Sequence, residues 1–293
     1  MGKMKFHILD VFAREKYQGN QLAVMIADEI LGSVEMQRIA REINFSETSF
    51  ICRIDHDKYC ADVRIFSPMT ELDFAGHPVI GTAFILKKIF NHSPEDILLN
   101  LKAGPVKVRF SNDSSAPVWI KQPDPVFGDN LDIETVAELL YLPDIAFVKD
   151  LPFQMVSTGL PHFIIPVRSL DWLKKSRINQ ARYWKLAEAT KVKNFLIYTE
   201  EPYEENQDIA VRMFAHALGI PEDPATGSGN GCLAAYLLHN RYKDLNYYKF
   251  NVGQGYEIGR PSHLHLEVKR LGNKYEILLG GNAVEVASGI WRI

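Results

Sequence analysis

Three cysteines are all that this chain of 293 residues contains (Cys52, Cys60 and Cys232), and no two of them form a C-x-x-C pair. An odd, scattered set excludes a disulfide framework and predicts reduced thiols in a cytoplasmic protein. No apolar run approaches the roughly 18 residues needed to cross a bilayer, and no signal-peptide core follows the opening Met1-Gly-Lys-Met-Lys-Phe6. Neither sign of charge dominates: the formal net charge is −3 and both signs are interspersed, which argues against nucleic acid or an anionic membrane as partner. There is no G-x-x-x-x-G-K-S/T loop, and Gly227-Ser-Gly-Asn-Gly231 lacks both the G-x-G-x-x-G spacing and a downstream acidic ribose ligand. His263 and His265 alternate along one strand but have no third ligand at useful spacing. The chain is thus expected to work without metal and without organic cofactor.

What is present is a repeat. Glu222-Asp-Pro-Ala-Thr-Gly-Ser-Gly-Asn-Gly-Cys232 is an acidic turn feeding a glycine-rich loop, and the apolar Leu233 to Leu238 continues it as a helix. Half a chain earlier, Glu71-Leu-Asp-Phe-Ala-Gly-His-Pro-Val-Ile-Gly81 runs into Thr82-Ala-Phe-Ile-Leu86 in the same way. Glycines let backbone N–H groups approach a ligand, and a helix N-terminus adds partial positive charge, a combination suited to a carboxylate or a phosphate. Val63-Arg-Ile-Phe66 precedes the first loop as Val211-Arg-Met-Phe214 precedes the second. Gln18-Gly-Asn20 corresponds to Thr158-Gly-Leu160, and Gly104-Pro-Val106 to Gly259-Arg-Pro261. Four blocks in one order describe a duplication, and a period this long means two domains rather than a solenoid.

Hydrophobic content of 46% and the length are sufficient for two cores. Strand-like alternation marks Cys60 to Phe66 and Asp96 to Leu101, among others, while His77 to Phe90 and Gly229 to Asn240 are apolar nearly all round and read as buried helices. The expected fold is α+β: two similar domains, each a sheet or barrel wrapped around a central helix. Their expected extents are 1–120 and 121–293, with the last strand block, 280–293, able to return to the first. The two loops are expected to face one another across a cleft.

Asp10-Val-Phe12 with Gly19-Asn20, Asn44-Phe-Ser-Glu-Thr-Ser-Phe50, Ala75-Gly-His-Pro78, Glu222-Asp-Pro-Ala-Thr-Gly-Ser228, Gln254-Gly-Tyr-Glu-Ile-Gly-Arg-Pro-Ser262 and Gly280-Gly-Asn-Ala-Val284 span nearly the whole chain. In this order they resemble the PhzF family of phenazine-biosynthesis-like isomerases, whose fold is shared with diaminopimelate epimerase and proline racemase. The resemblance implies a cofactor-independent isomerase acting on a small carboxylate-bearing molecule, such as a cyclic amino acid, and a homodimer.

Glu47 falls among apolar neighbours at a strand head, where partial desolvation raises a carboxyl pKa toward the range useful for proton transfer. A lone Glu is more often a cap or a surface residue; by resemblance this one is the catalytic acid/base. Ser46 and Thr48 are expected to satisfy local backbone groups. His77 opens the first buried helix, where the dipole favours neutral imidazole, or simply anchors the loop. By resemblance His77, Asp223 and Ser228 complete the site, though an Asp before Pro224 also suits a plain turn. Gly76, Gly227 and Gly229 are candidates for holding a substrate carboxylate, and Asn20 is either part of the site wall or a turn residue. Arg64 and Arg212 are expected to make structural ion pairs.

Racemases of this fold place a thiol before each glycine loop. Here those positions are Ala75 and Thr226, and Cys232 reads as a small buried residue. A thiol pair is excluded and a one-carboxylate proton shift remains. A catalytically idle binding protein, or a lyase using the same glutamate, are the alternatives.

Overall fold

The computed structural model describes residues 2–27, 31–90, 94–111, 113 and 116–293. The chain divides into two units, Met1–Lys121 with Gly280–Ile293, and Gln122–Leu279. In unit 1 the order is β1 (Lys3–Val11), β2 (Asn20–Ile26), α1 (Ser33–Ile43), β3 (Glu47–Asp55), β4 (Cys60–Phe66), β5 (Glu71–Leu72), α2 (Gly76–Ile89), β6 (Asp96–Leu101), β7 (Gly104–Arg109) and β8 (Val118–Lys121). The period-two pattern is visible in β4 and β6, where alternate side chains are buried. Pairing is antiparallel for β1–β2, parallel for β2–β3, antiparallel for β3–β4, parallel for β4–β6 and antiparallel for β6–β7.

Unit 2 contains β9 (Val126–Leu131), α3 (Ile133–Leu140), β10 (Phe153–Ser157), β11 (Pro161–Pro166), α4 (Leu170–Lys175), α5 (Gln180–Thr190), β12 (Asn194–Thr199), β13 (Ile209–Phe214), α6 (Gly227–Tyr236), β14 (Tyr247–Gln254), β15 (Ser262–Leu271) and most of β16 (Lys274–Gly281). Its pairings run antiparallel β10–β11, parallel β11–β12, antiparallel β12–β13, parallel β13–β14 and antiparallel β14–β15. This is the unit 1 pattern step for step. The flanking strand differs in origin: β9 pairs with β10 inside its own half, whereas β1 pairs with β17 (Ala283–Arg292) from the far end of the chain.

Helix α2 is buried on every side, from Gly76 through Ala83 and again at Ile85 and Leu86. It packs on β1, β2 and β3 and also on β6, β7 and β8, so the sheet curls around it. That approach needs a small residue: a Cβ at Gly81 would lie 2.5 Å from Leu22 Cδ2 and 2.9 Å from Val11 Cγ2. Helix α6 repeats the device in unit 2 against β10, β11 and β15, with Gly229 held close to Leu196 and His162. The outer faces are covered separately. Met36, Ile39 and Ala40 of α1 join Met25, Phe50 and Phe66, while α3, α4 and α5 cover a larger cluster around Phe163, Phe195 and Phe214.

The second buried helix differs from its expected span of 229–240. It begins at Gly227, because Gly227 and Ser228 already turn helically after the extended Thr226, and at Leu237–Arg241 it widens into a π turn. There Tyr242 N–H reaches back to Leu237 O at 2.8 Å, and the Arg270 guanidinium donates to the carbonyl of Leu238 at 2.7 Å. A side chain entering the ladder is a recognised cause of such widening.

Candidate active site

In unit 1, three chain segments bring polar groups together. Helix α1 ends on Asn44 in the left-handed conformation, so the chain reverses and enters β3 at Glu47. The Asp10 carboxylate accepts from Tyr17 N–H at 2.6 Å and braces the turn before β2. Gly19 has φ 65, and a Cβ there would sit 2.3 Å from Val11 O, so only glycine permits this turn. It delivers Asn20, 2% exposed, as the first residue of β2. Ser46 Oγ donates to Asn20 Oδ1 at 3.1 Å. Ser46 therefore serves a side chain and not the local backbone, contrary to the expectation. The Thr48 hydroxyl has no hydrogen-bond partner among the described residues, also contrary to it.

Glu47 stands opposite Leu22 in the parallel β2–β3 pair. Its side chain is 15% exposed, and Oε2 lies 3.3 Å from Nε2 of His77, itself 6% exposed. Oε2 accepts no hydrogen bond among the described residues. Burial pushes this carboxyl from 4.5 up to about 7, with the Ser46 hydroxyl opposing. His77 is carried by the first turn of α2, whose N-cap, Ala75, is extended and provides no side-chain cap. The buried Gly76 precedes it.

In unit 2, the loop before α6 is held by a closed polar network. Asp223 is 6% exposed and its N–H donates to Met213 O at 2.9 Å. Its carboxylate accepts from the Thr226 hydroxyl. Gln254, at the end of β14 and 0% exposed, donates to Asp223 O at 2.8 Å and to Thr226 Oγ1 at 3.0 Å. Gln254 Oε1 accepts from Thr226 N–H at 3.2 Å and from Asn230 Nδ2 at 2.8 Å. Gly227 and Gly229 are buried, and the half-buried Ser228 lies between them. Thr226, like Ala75, offers no side-chain cap to its helix.

Sequence reasoning placed Glu47, His77, Gly76 and Asn20 as candidates, and the fold gathers Glu47 with His77 and, through Ser46, Asn20. It missed Gln254 and Asn230. The available signals were an amide inside the apolar α6 run and a glutamine ending a strand directly before Gly255, whose φ is 81. Arg64 and Arg212 make matching bidentate pairs, Arg64 with Glu71 at 2.7 and 2.8 Å and Arg212 with Glu222 at 2.9 and 2.7 Å. His263 and His265 hydrogen-bond to Gln207 and Asn251 respectively. Among the described residues no cluster of three or more His, Cys, Asp or Glu is arranged to hold a metal, and no helix is long and apolar enough to cross a membrane.

The family model for phenazine biosynthesis-like proteins, PhzC-PhzF, matches residues 9–289. The chain belongs to this family. An uncharacterised isomerase of Clostridium acetobutylicum is 34% identical over 97% of this chain and 96% of its own length. The trans-2,3-dihydro-3-hydroxyanthranilate isomerase of Pseudomonas aeruginosa is 29% identical over 97% of this chain and 98% of its own. Among solved structures, a PhzF-family protein of Bacillus anthracis superposes with a TM-score of 0.91 at 26% identity, covering 100% of both chains. The two-unit arrangement of central helices and curled sheets is thus the PhzF fold.

Proposed function

We propose that this PhzF-family chain is an isomerase that shifts one proton within a small, carboxylate-bearing substrate such as a cyclic amino acid, using Glu47 as the single general acid and base. The observation that carries this reading is the Glu47 carboxyl, buried and raised to about 7 beside the His77 imidazole. A group poised there is ionised often enough to take a proton from carbon and, once protonated, acidic enough to return it. The carboxylate removes the proton, the electron pair delocalises into the substrate's conjugated system, and the same proton goes back to a different carbon. No atom is gained or lost, so neither oxidant nor cofactor enters the balance.

His77 would donate to or accept from the substrate next to the transferred proton. The uncapped N-termini of α2 and α6, through Gly76, Gly227 and Gly229, would hold a substrate carboxylate, with Asn20, Asp223 and Ser228 binding its other polar groups. The register counterpart of Glu47 in unit 2 is Asn194, which cannot exchange protons at neutral pH, so a one-residue transfer is favoured over a two-base inversion. A homodimer is the expected assembly, to be measured by sedimentation.

The test uses trans-2,3-dihydro-3-hydroxyanthranilate, the compound in the name of the Pseudomonas relative, together with a panel of cyclic and aromatic amino acids first ranked by thermal shift. In heavy water the matched compound is expected to shift or exchange a carbon-bound hydrogen, and Glu47→Gln to abolish this while still binding. Chelator is expected to leave the rate unchanged. Equal activity of the Gln variant would remove Glu47 from its role. A ligand that binds but never exchanges would make the chain a binding protein, and loss of part of the substrate would make it a lyase.

A further inference from the structure

The hydrogen-bond directions around Asp223 are fixed by two backbone groups that have no freedom to reverse. Thr226 N–H can only donate and Asp223 C=O can only accept, and both meet the Gln254 amide, at 3.2 and 2.8 Å. The amide therefore presents Oε1 to Thr226 N–H and Nε2 to Asp223 O; flipping it would set donor against donor and acceptor against acceptor. Asn230 agrees, because its Nδ2 donates to Thr226 O at 2.9 Å and to the same Gln254 Oε1 at 2.8 Å. With Nε2 so placed, its second hydrogen points at Thr226 Oγ1, 3.0 Å away, and that oxygen must accept. The single hydroxyl hydrogen is then left for Asp223 Oδ2.

We propose that Gln254 is a positioning residue for the reaction: acting through Thr226, it makes Oδ2 of Asp223 a permanent acceptor and so fixes the orientation in which this carboxylate meets substrate. The inference rests on the reading that Asp223 contacts substrate, but the orientation itself follows from this unit alone. It also explains why a threonine is useful where racemases of this fold hold a thiol. The Thr226 hydroxyl is not a proton carrier; its hydrogen is committed. A helix start that needed only bracing would be served by Asn230 and the backbone, and three of the four bonds of Gln254 go instead to the two residues that set the carboxylate.

Carbon-13 NMR of the Asp223 carboxyl carbon across a pH titration tests this without any substrate. The Arg212–Glu222 pair, adjoining Asp223 in the chain, is retained in both Thr226 variants and cancels in their comparison. Wild type and Thr226→Ser, which keeps the hydroxyl, are expected to titrate together. Thr226→Val, which removes the donor, is expected to titrate at higher pH, because a carboxylate that loses a hydrogen bond holds its proton more tightly. Gln254→Glu is expected to titrate at least as high as Thr226→Val, since its carboxylate both competes for the hydroxyl hydrogen and adds a like charge beside Asp223. Should the buried glutamate prevent folding, the Ser and Val pair still decides. Identical titrations in wild type and Thr226→Val would overturn the proposal and leave the Glu47 assignment untouched. Conversely, an Asp223→Asn variant with undiminished exchange activity would remove the substrate role while the titrations stood.

Discussion

In unit 1 the residue opposite Leu22 across the parallel β2–β3 pair is Glu47; in unit 2 the residue opposite His162 across β11–β12 is Asn194. The strand pattern is the same, yet the two positions carry opposite proton chemistry. Desolvation is the leading cause of every large shift near them. It lifts the Glu47 carboxyl from 4.5 to about 7, toward neutrality. It lowers the His162 imidazole from 6.5 to about 4 and raises the Cys232 thiol from 9.0 to about 11, both away from neutrality. Burial by itself therefore does not make a site. It activates an acid that starts below pH 7 and silences a base or thiol that starts near or above it. Duplication supplied one architecture, and residue choice at equivalent points divided the labour.

The sharpest way to break this comparison is to neutralise its active side. Glu47→Gln is expected to lower turnover by about 10²–10⁴-fold with little change in ligand affinity, measured as deuterium exchange and as thermal shift. In the wild-type enzyme kcat/KM should rise with pH through about 7 if Glu47 is the proposed base, which must be ionised, and that limb should vanish in the Gln variant.

Buried charge gives the next effects. Arg212 is 4% exposed and spends Nη1 on the carbonyls of Leu173 and Ser176 while Nε and Nη2 bind Glu222, whereas the Arg64 side chain is 30% exposed. Arg212→Met strands a buried carboxylate and is expected to cost about 3–5 kcal/mol in urea unfolding. Arg64→Met should cost about 1 kcal/mol or less. Equal losses would mean that the two pairs are equivalent in environment as well as in sequence.

Glu47 also makes a stability prediction. Between pH 4.5 and about 7 the folded state holds a proton that the unfolded state has released, so stability falls as pH rises through that window. The difference corresponds to about 3 kcal/mol by pH 8. Glu47→Gln stays neutral and should be more stable than wild type at pH 8, by up to that amount, with the gap closing near pH 4.5. No gap at pH 8 would show that the carboxyl is better solvated than its surroundings indicate.

Much of this was legible in the sequence where local pattern and function coincide. The all-apolar runs of α2 and α6 announced central helices because a helix hydrophobic on every side has to be enclosed. The recurring Val-Arg-x-Phe blocks marked matching strands, and their arginines find acidic partners only 7 and 10 residues away. What escaped was long-range. Ser46 meets Asn20 across 26 residues, and Gln254 reaches Asp223 across 31, distances at which no periodicity speaks. The π turn was also hidden, since it depends on Arg270 of a later strand reaching Leu238 O across 32 residues. The motif carried Glu47 as a candidate, but the 3.3 Å approach of His77 is a product of packing α2 beneath β3.

The smallest expected effect tests the silent side. Cys232 Sγ lies 3.7 Å from His162 Nδ1 and 3.5 Å from Thr158 Oγ1, a geometry that in a protease would suggest a nucleophile. Here His162 Nδ1 lies 2.9 Å from Leu160 O, which requires the hydrogen on Nδ1, so that nitrogen has no lone pair with which to take the thiol's proton. With the thiol raised to about 11 and the imidazole lowered to about 4, both remain neutral across the working range, and a neutral thiol is a poor nucleophile. Cys232→Ala should therefore leave exchange activity within about twofold and cost about 1 kcal/mol for the lost packing. Folded wild-type protein should resist iodoacetamide at this position until it unfolds. A tenfold loss of activity in the alanine variant, with folding intact, would return the thiol to the chemistry and dissolve the contrast between a raised carboxyl and a silenced thiol.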